Sequence, residues 1–193
     1  GAAAQAAGVP HPDPDIRDAW RAVLKTVGAV STTAQVERLT VEFELRANPT
    51  WLMPGALACL RALHGHAALG IVSNAQFSTQ FILDEQLGGS LSNLVPRDRC
   101  LWSYQHGRAK PGTELFELAA ERFAAAGIGR SACLFVGNDM LNDVWAAAAC
   151  GFRTALFAGD ARSLRLRYDD ERCRALQPDL IITALEQLPP LLR

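Results

Sequence analysis

Apolar residues recur at helical spacing in the first quarter of the chain. Between Asp15, a suitable N-cap, and Gly28, a helix stop, they fall every three or four positions: Ile16, Ala19, Trp20, Val23, Leu24 and Val27. A second helix is predicted from Thr33 to Arg46, because Pro49 cannot continue it. No strand-like run separates the two helices, so the pattern predicts a small helical subdomain.

The segment before these helices is rich in alanine. Residues Ala2 to Ala7 are strong helix formers and Gly8 is a suitable C-cap, but six residues make only a marginal helix by themselves. We therefore interpret this segment as the tail of a longer helix whose beginning is absent. His11 to Pro14 is predicted to be a linker.

After Pro54 the pattern changes to short apolar runs that alternate with helical segments. The strand-like runs cover 67–72, 101–104, 132–136, 152–157 and 179–182, and the predicted helices cover 55–64, 76–87, 111–126 and 142–150. This alternation is typical of a parallel sheet with helices on both faces. The predicted fold class is therefore α/β, with a Rossmann-like sheet and a helical cap subdomain. Residues 1–48 would form the helical segment, and 49–193 the α/β core.

Composition narrows the functional classes. Of the 193 residues 49% are hydrophobic and 20% charged, and the net charge is -1, which favours a soluble enzyme over a nucleic-acid-binding surface. Acids interrupt the basic stretch from Arg162 to Arg174. The five cysteines form no C-x-x-C pair and are expected to be reduced thiols. Nothing in the sequence indicates secretion or a membrane span, so a cytoplasmic location is expected.

Two candidate polar sites lie at or near the carboxyl edge of the predicted sheet. Ser73 and Asn74 follow the run that ends at Val72; they could bind an anion or simply cap the next helix. Lys110 precedes Pro111 at a helix entrance, where a cation could neutralise a phosphate or remain a solvated surface lysine.

A third candidate site combines two carboxylates. Asp139 and Asp143 follow the run that ends at Val136 and stand four residues apart, on one face of the next predicted helix. Acids in a first helical turn commonly complement the helix dipole. Oxygen ligands in this arrangement also suit Mg²⁺, which proteins usually hold through one or two carboxylates and water.

The order of these sites along the chain resembles that of the haloacid dehalogenase-like (HAD) hydrolases. An apolar strand ending in Ser73, a Lys-Pro pair at Lys110, and a strand followed by Gly137 and two acids match the second, third and fourth motifs of that family. The resemblance covers residues 50–190, and the helices at 15–47 resemble the cap that many members insert between the first two motifs.

The resemblance implies a role for each matched residue. Ser73 and Asn74 would bind phosphoryl oxygens, and Lys110 would stabilise developing negative charge and the nucleophilic carboxylate. Asp139 would ligate Mg²⁺, with Asp143 in support through water or Lys110. The implied enzyme is a Mg²⁺-dependent phosphatase that acts on a small phosphorylated metabolite through an aspartyl-phosphate intermediate.

The first motif of the family, a strand followed by Asp-x-Asp, is absent from this sequence. Asp13-Pro14-Asp15 has its spacing, but no apolar strand precedes it and Asp15 is better employed as an N-cap. The resemblance places the missing strand at the sheet centre, between the strands that end at Ser73 and Gly137. We therefore expect an upstream segment to carry the nucleophile, and this chain alone to be inactive.

Two other functions remain as alternatives. A 2-haloacid dehalogenase shares the fold and needs no metal; the family pattern Ser-x-Asn-x-x-Asp falls where this chain has Gly137, Asn138, Asp139 and Asp143, and the extra acid at Asp139 favours the metal enzyme. A catalytically silent binding protein would keep the anion site formed by Ser73 and Lys110 without turnover.

Overall fold

A computed structural model describes residues 8–192 as an α/β protein with parallel strands. The helices are α1 (Ile16–Thr26), α2 (Thr33–Ala47), α3 (Ala56–Leu63), α4 (Phe77–Gln86), α5 (Leu91–Leu94), α6 (Ser103–His106), α7 (Glu114–Ala124), α8 (Ala146–Ala149), α9 (Glu171–Arg174) and α10 (Leu188–Leu191). The strands are β1 (Ile71–Ser73), β2 (Cys100–Trp102), β3 (Leu134–Gly137), β4 (Arg153–Phe157) and β5 (Leu180–Ile182). The helix predicted from Ala2 to Ala7 lies outside the described residues.

Helices α1 and α2 form the predicted helical pair. The Asp15 side chain accepts a hydrogen bond from the Arg17 backbone N–H and caps α1, and Thr32 caps α2 in a capping box with Gln35. The two helices pack through an edge-to-face contact between Trp20 and Phe43, whose ring centroids are 5.2 Å apart. Helix α2 also contacts α4, so the pair packs against the α/β part of the molecule.

The five strands form two parallel sheets rather than one. Strand β1 pairs with β2, and the other three strands pair in the order β3-β4-β5. Within residues 8–192 no backbone ladder joins β1 to β3. The two sheets are connected instead by apolar packing, in which the fully buried Phe116 of α7 contacts Phe135 of β3 and belongs to the same cluster as Leu101 of β2.

Some predicted boundaries were wrong. Of the predicted run 67–72, only the last two residues belong to β1, because the ladder with β2 covers just three residue pairs, from Ile71 to Ser73. Helix α7 begins at Glu114 rather than at Pro111. The Asn74 side chain binds the Lys110 backbone, and the Gly112 N–H donates to the Ala109 carbonyl, so this stretch forms a turn.

The segment after β3 also differs from the predicted helix over 142–150. It begins as a wider π-helical turn from Met140 to Trp145 and narrows into the α-helix α8. No described helix is long and apolar enough to span a bilayer.

Candidate active site

The Lys110 side chain connects the two sheets. Its ammonium group donates hydrogen bonds to the Val72 carbonyl of β1, at 3.1 Å, and to Asp143 Oδ1, at 2.5 Å. It also lies 5.2 Å from the centroid of the Phe135 ring, on β3. The Lys110 and Asp143 side chains are each only 8% exposed, so this lysine is a buried, paired cation rather than a surface group.

Asn74 holds the loop that presents Lys110. Its side-chain oxygen accepts from the Lys110 N–H at 2.8 Å, and its side-chain nitrogen donates to the Lys110 carbonyl at 2.9 Å. Ser73, the last residue of β1, stands immediately before it and is partly buried. Ser73, Asn74 and Lys110 are therefore brought together at the carboxyl end of β1.

Asp143 is fixed by the turn that follows β3. Its Oδ2 atom accepts hydrogen bonds from the N–H groups of Asn138 and Asp139, both at 3.0 Å. Gly137 makes this approach possible, because a Cβ atom there would collide with the Asp143 carboxylate. Glycine is therefore required at this motif position for a steric reason, because only a residue without a side chain lets Asp143 lie against the end of β3.

Asp139, the other predicted metal ligand, is already saturated with donors. Its Oδ1 atom caps the following turn by accepting from the Leu141 and Asn142 N–H groups, at 2.9 and 3.1 Å. Arg167 binds both oxygens, with its Nη2 2.6 Å from Oδ2. Burial raises the pKa of Asp139, but the hydrogen bonds from Arg167 and the turn outweigh it, and the net pKa is lowered from its usual value.

The described residues fit Mg²⁺ at Asp143 but not at Asp139. An ionised carboxylate can accept about four hydrogen bonds or metal contacts. Asp143 accepts three hydrogen bonds, which leaves room for one more partner. Asp139 has six donor contacts, which leave no room for a metal ion. In residues 8–192 no three His, Cys, Asp or Glu side chains converge on a point suited to a metal ion. Of the two predicted ligands, only Asp143 therefore has room for a further partner.

Sequence reasoning missed a polar cluster beside the site. The Asp13 carboxylate accepts hydrogen bonds from the Ser103 hydroxyl and, at 2.9 Å, from the Gln76 side chain. The backbone of this supposed linker pairs with the loop before Lys110, through Ala109 N–H to the His11 carbonyl at 2.7 Å. No local signal predicts these contacts, because the partners of Asp13 are 63 and 90 residues away along the chain.

Several arginines of the basic stretch from Arg162 to Arg174 are paired within the protein rather than exposed as a free cationic surface. Arg165 donates to the carbonyls of Arg162 and Leu164, and Arg172 pairs with Asp170. Arg167, as described above, binds Asp139. The described side chains with partners in this stretch serve mainly to shape the loop itself and to hold the turn after β3.

Comparison with known proteins gives consistent matches. The haloacid dehalogenase-like hydrolase family matches residues 10–151. The pyrimidine 5'-nucleotidase YjjG of Escherichia coli is 28% identical over 140 residues, which is 72% of this chain and 56% of that protein. The chain thus spans little more than half the length of this curated relative.

Solved structures share the fold. The magnesium-bound HAD-hydrolase YfnB of Bacillus subtilis is 22% identical, with a TM-score of 0.63 over 92% of this chain and 71% of that one. The L-2-haloacid dehalogenase of Xanthobacter autotrophicus, in a structure with chloropropionic acid covalently bound, is 21% identical to this chain. Its TM-score is 0.60, over 92% of this chain and 74% of that one.

Proposed function

Because the chain belongs to the haloacid dehalogenase-like hydrolases, we propose that it is the larger part of a phosphatase that hydrolyses a small phosphorylated metabolite. The observation that carries the proposal is the buried Lys110–Asp143 pair, which brings the matched residues of the two sheets to one edge. The nucleotidase relative supports a phosphate ester as substrate.

Each residue has a defined part in this proposal. The Ser73 hydroxyl would donate to a phosphoryl oxygen, and the ammonium group of Lys110 would neutralise charge that develops in the transition state. Asn74 would act through Lys110, since its amide group is committed to that residue's backbone. Bound at Asp143, Mg²⁺ would supply further charge neutralisation to the phosphoryl group.

We further propose that the nucleophilic aspartate lies on a strand outside the described residues. Among residues 8–192 no backbone ladder joins the edges of β1 and β3, yet Lys110 forms hydrogen bonds to Val72 of β1 and to Asp143, which follows β3. A parallel strand between them would join the sheets and bring its carboxyl end beside Lys110. The domain division at 48/49 and a cytoplasmic location are part of the same proposal.

The test is a turnover assay on the full-length protein with p-nitrophenyl phosphate, with Mg²⁺ and after exhaustive chelation. We expect hydrolysis that requires Mg²⁺ and is lost in the Lys110→Met variant. Arg108→Met is a matched control, because Arg108 lies two residues away in an exposed pair with Glu114. Failure of the full-length protein to hydrolyse any phosphate ester would refute the proposal.

A 2-haloacid dehalogenase is the second candidate. The observation in its favour is that Arg167 occupies Asp139, which removes the extra acid as an argument for a metal enzyme. Release of halide from 2-chloropropionate that persists with chelator would establish this function instead. Binding of phosphate without turnover of either substrate would identify a catalytically silent protein.

A further inference from the structure

The loop after β4 holds the turn that presents Asp143. The Arg165 N–H donates to the Asn138 carbonyl at 2.9 Å, and the Met140 N–H donates to the Arg165 carbonyl at 2.8 Å. The Asn138 side chain also donates to the Ser163 carbonyl at 2.5 Å. This is a short extension of the sheet beyond β3, formed by irregular backbone on both sides.

Arg167 adopts a backbone conformation that is unfavourable for its residue type. Its φ angle is +56°, in the left-handed region, and it is the only described residue other than glycine with a positive φ. Such conformations persist where other interactions hold them in place. Here the interaction is a bidentate contact with the buried Asp139 carboxylate, in which the Arg167 Nε donates to Oδ1 and the Nη2 donates to Oδ2.

The contacts form one continuous chain from this arginine to the lysine of the site. Arg167 binds Asp139, and the N–H groups of Asp139 and Asn138 bind Asp143 Oδ2. The other oxygen of Asp143 binds Lys110. A change at Arg167 can therefore reach Lys110 by displacing this turn, although within residues 8–192 the Arg167 side chain forms its hydrogen bonds and ion pair with Asp139 alone.

We propose that Arg167 is a positioning residue and that Asp139 is its partner rather than a metal ligand. The guanidinium group supplies the positive charge that the sequence pattern assigns to Mg²⁺ at this carboxylate. In doing so it fixes the turn whose amide groups aim Asp143 at Lys110. The effect on turnover rests on the proposed function, whereas the assignment of Asp139 does not.

Metal binding tests the assignment of Asp139 without turnover. Mn²⁺ titration of the full-length protein, followed by electron paramagnetic resonance, is compared between the unsubstituted protein and Asp139→Asn, which keeps the N-cap. We expect this substitution to weaken Mn²⁺ binding by at most about 100-fold, as for a residue that only orients a ligand, and Arg167→Ala to weaken it by a similar factor. An effect of Asp139→Asn that exceeds that of Arg167→Ala by about tenfold or more would show that Asp139 is a ligand and overturn the proposal. Absence of Mn²⁺ binding in all three proteins agrees with it.

Kinetics test the positioning role. Arg167→Ala is expected to lower kcat by about 10-fold to 100-fold with little change in KM, since it disturbs Lys110 indirectly. Combining it with Asp139→Asn should add little. Arg162→Ala is the control, because its side chain lies in the same loop and is 88% exposed. Equal kcat values for the two alanine variants would overturn the positioning role.

A thermodynamic cycle covers the case in which the protein hydrolyses no phosphate ester. Urea unfolding is measured for Arg167→Ala, Lys110→Met and the double variant. Non-additive unfolding free energies are expected, because the two residues act through one network. Additive values would count against the positioning role even if the phosphatase proposal has already failed.

Discussion

Removal of the cation from the buried Lys110–Asp143 pair is expected to destabilise the protein, and Lys110→Met measures the cost of leaving Asp143 without its partner. Methionine keeps the length and apolar character of the stem but removes the charge. Asp143 then remains 8% exposed without its cation, and the Val72 carbonyl loses its donor. Breaking a buried ion pair by removing one partner typically costs about 3–5 kcal/mol. Two backbone N–H groups still hold Asp143, so we expect the lower end, about 3 kcal/mol.

The assay is urea unfolding of the full-length protein, followed by tryptophan fluorescence, in which Trp102 of β2 is 2% exposed and reports on the core. With a slope of roughly 2 kcal/mol per molar, the midpoint should fall by about 1.5 M. The control Arg108→Met breaks an exposed pair and should cost no more than about 1 kcal/mol. If the two variants differ by less than about 1 kcal/mol at equal slopes, Lys110 is not the buried bridge described above.

Two further predictions concern the turn after β3. Gly137→Ala should destabilise the protein by about 1–3 kcal/mol, because the new Cβ collides with Asp143, whereas Gly129→Ala meets open space; differential scanning calorimetry of both variants checks this contrast. Asp139 has a lowered pKa in the folded state, so its ionisation stabilises the fold above its unfolded pKa of about 3.9 and this contribution is lost as the pH falls through the folded value. The stability lost on Asp139→Asn should therefore shrink below about pH 4 in acid unfolding curves, and a difference that stays constant would contradict the Arg167 pairing.

The fold was largely predictable because its signals are local. The capping residues Asp15 and Thr32 lie next to the helices they begin, and apolar runs mark all five strands. Boundaries failed where a distant side chain decides the backbone, as at Pro111, where Asn74 holds the preceding residue in a turn. The division into two sheets could be anticipated only from the resemblance to the family.

The sequence was enough to predict which residues lie together at the candidate site, but not the contacts between them. The sequence pattern brings out Ser73, Lys110 and Asp143, and the structure brings them to one edge. The sequence gives no indication that Arg167 binds Asp139. The two residues are 28 positions apart, and neither this separation nor the left-handed backbone at Arg167 produces a recognisable sequence pattern. The spacing of Asp139 and Asp143 therefore predicts a pair of metal ligands, although in the structure only Asp143 has room for a further partner.

The separation of the strands also determines how this part of the chain opens. Backbone ladders hold β3, β4 and β5 together, and Ala155 in the middle is fully buried, so their amide protons should exchange with solvent late and as a group. The shorter β1–β2 ladder should exchange earlier as a second unit. Because Lys110 contacts both units, we expect local opening of either one to separate the residues of the site before the chain unfolds as a whole.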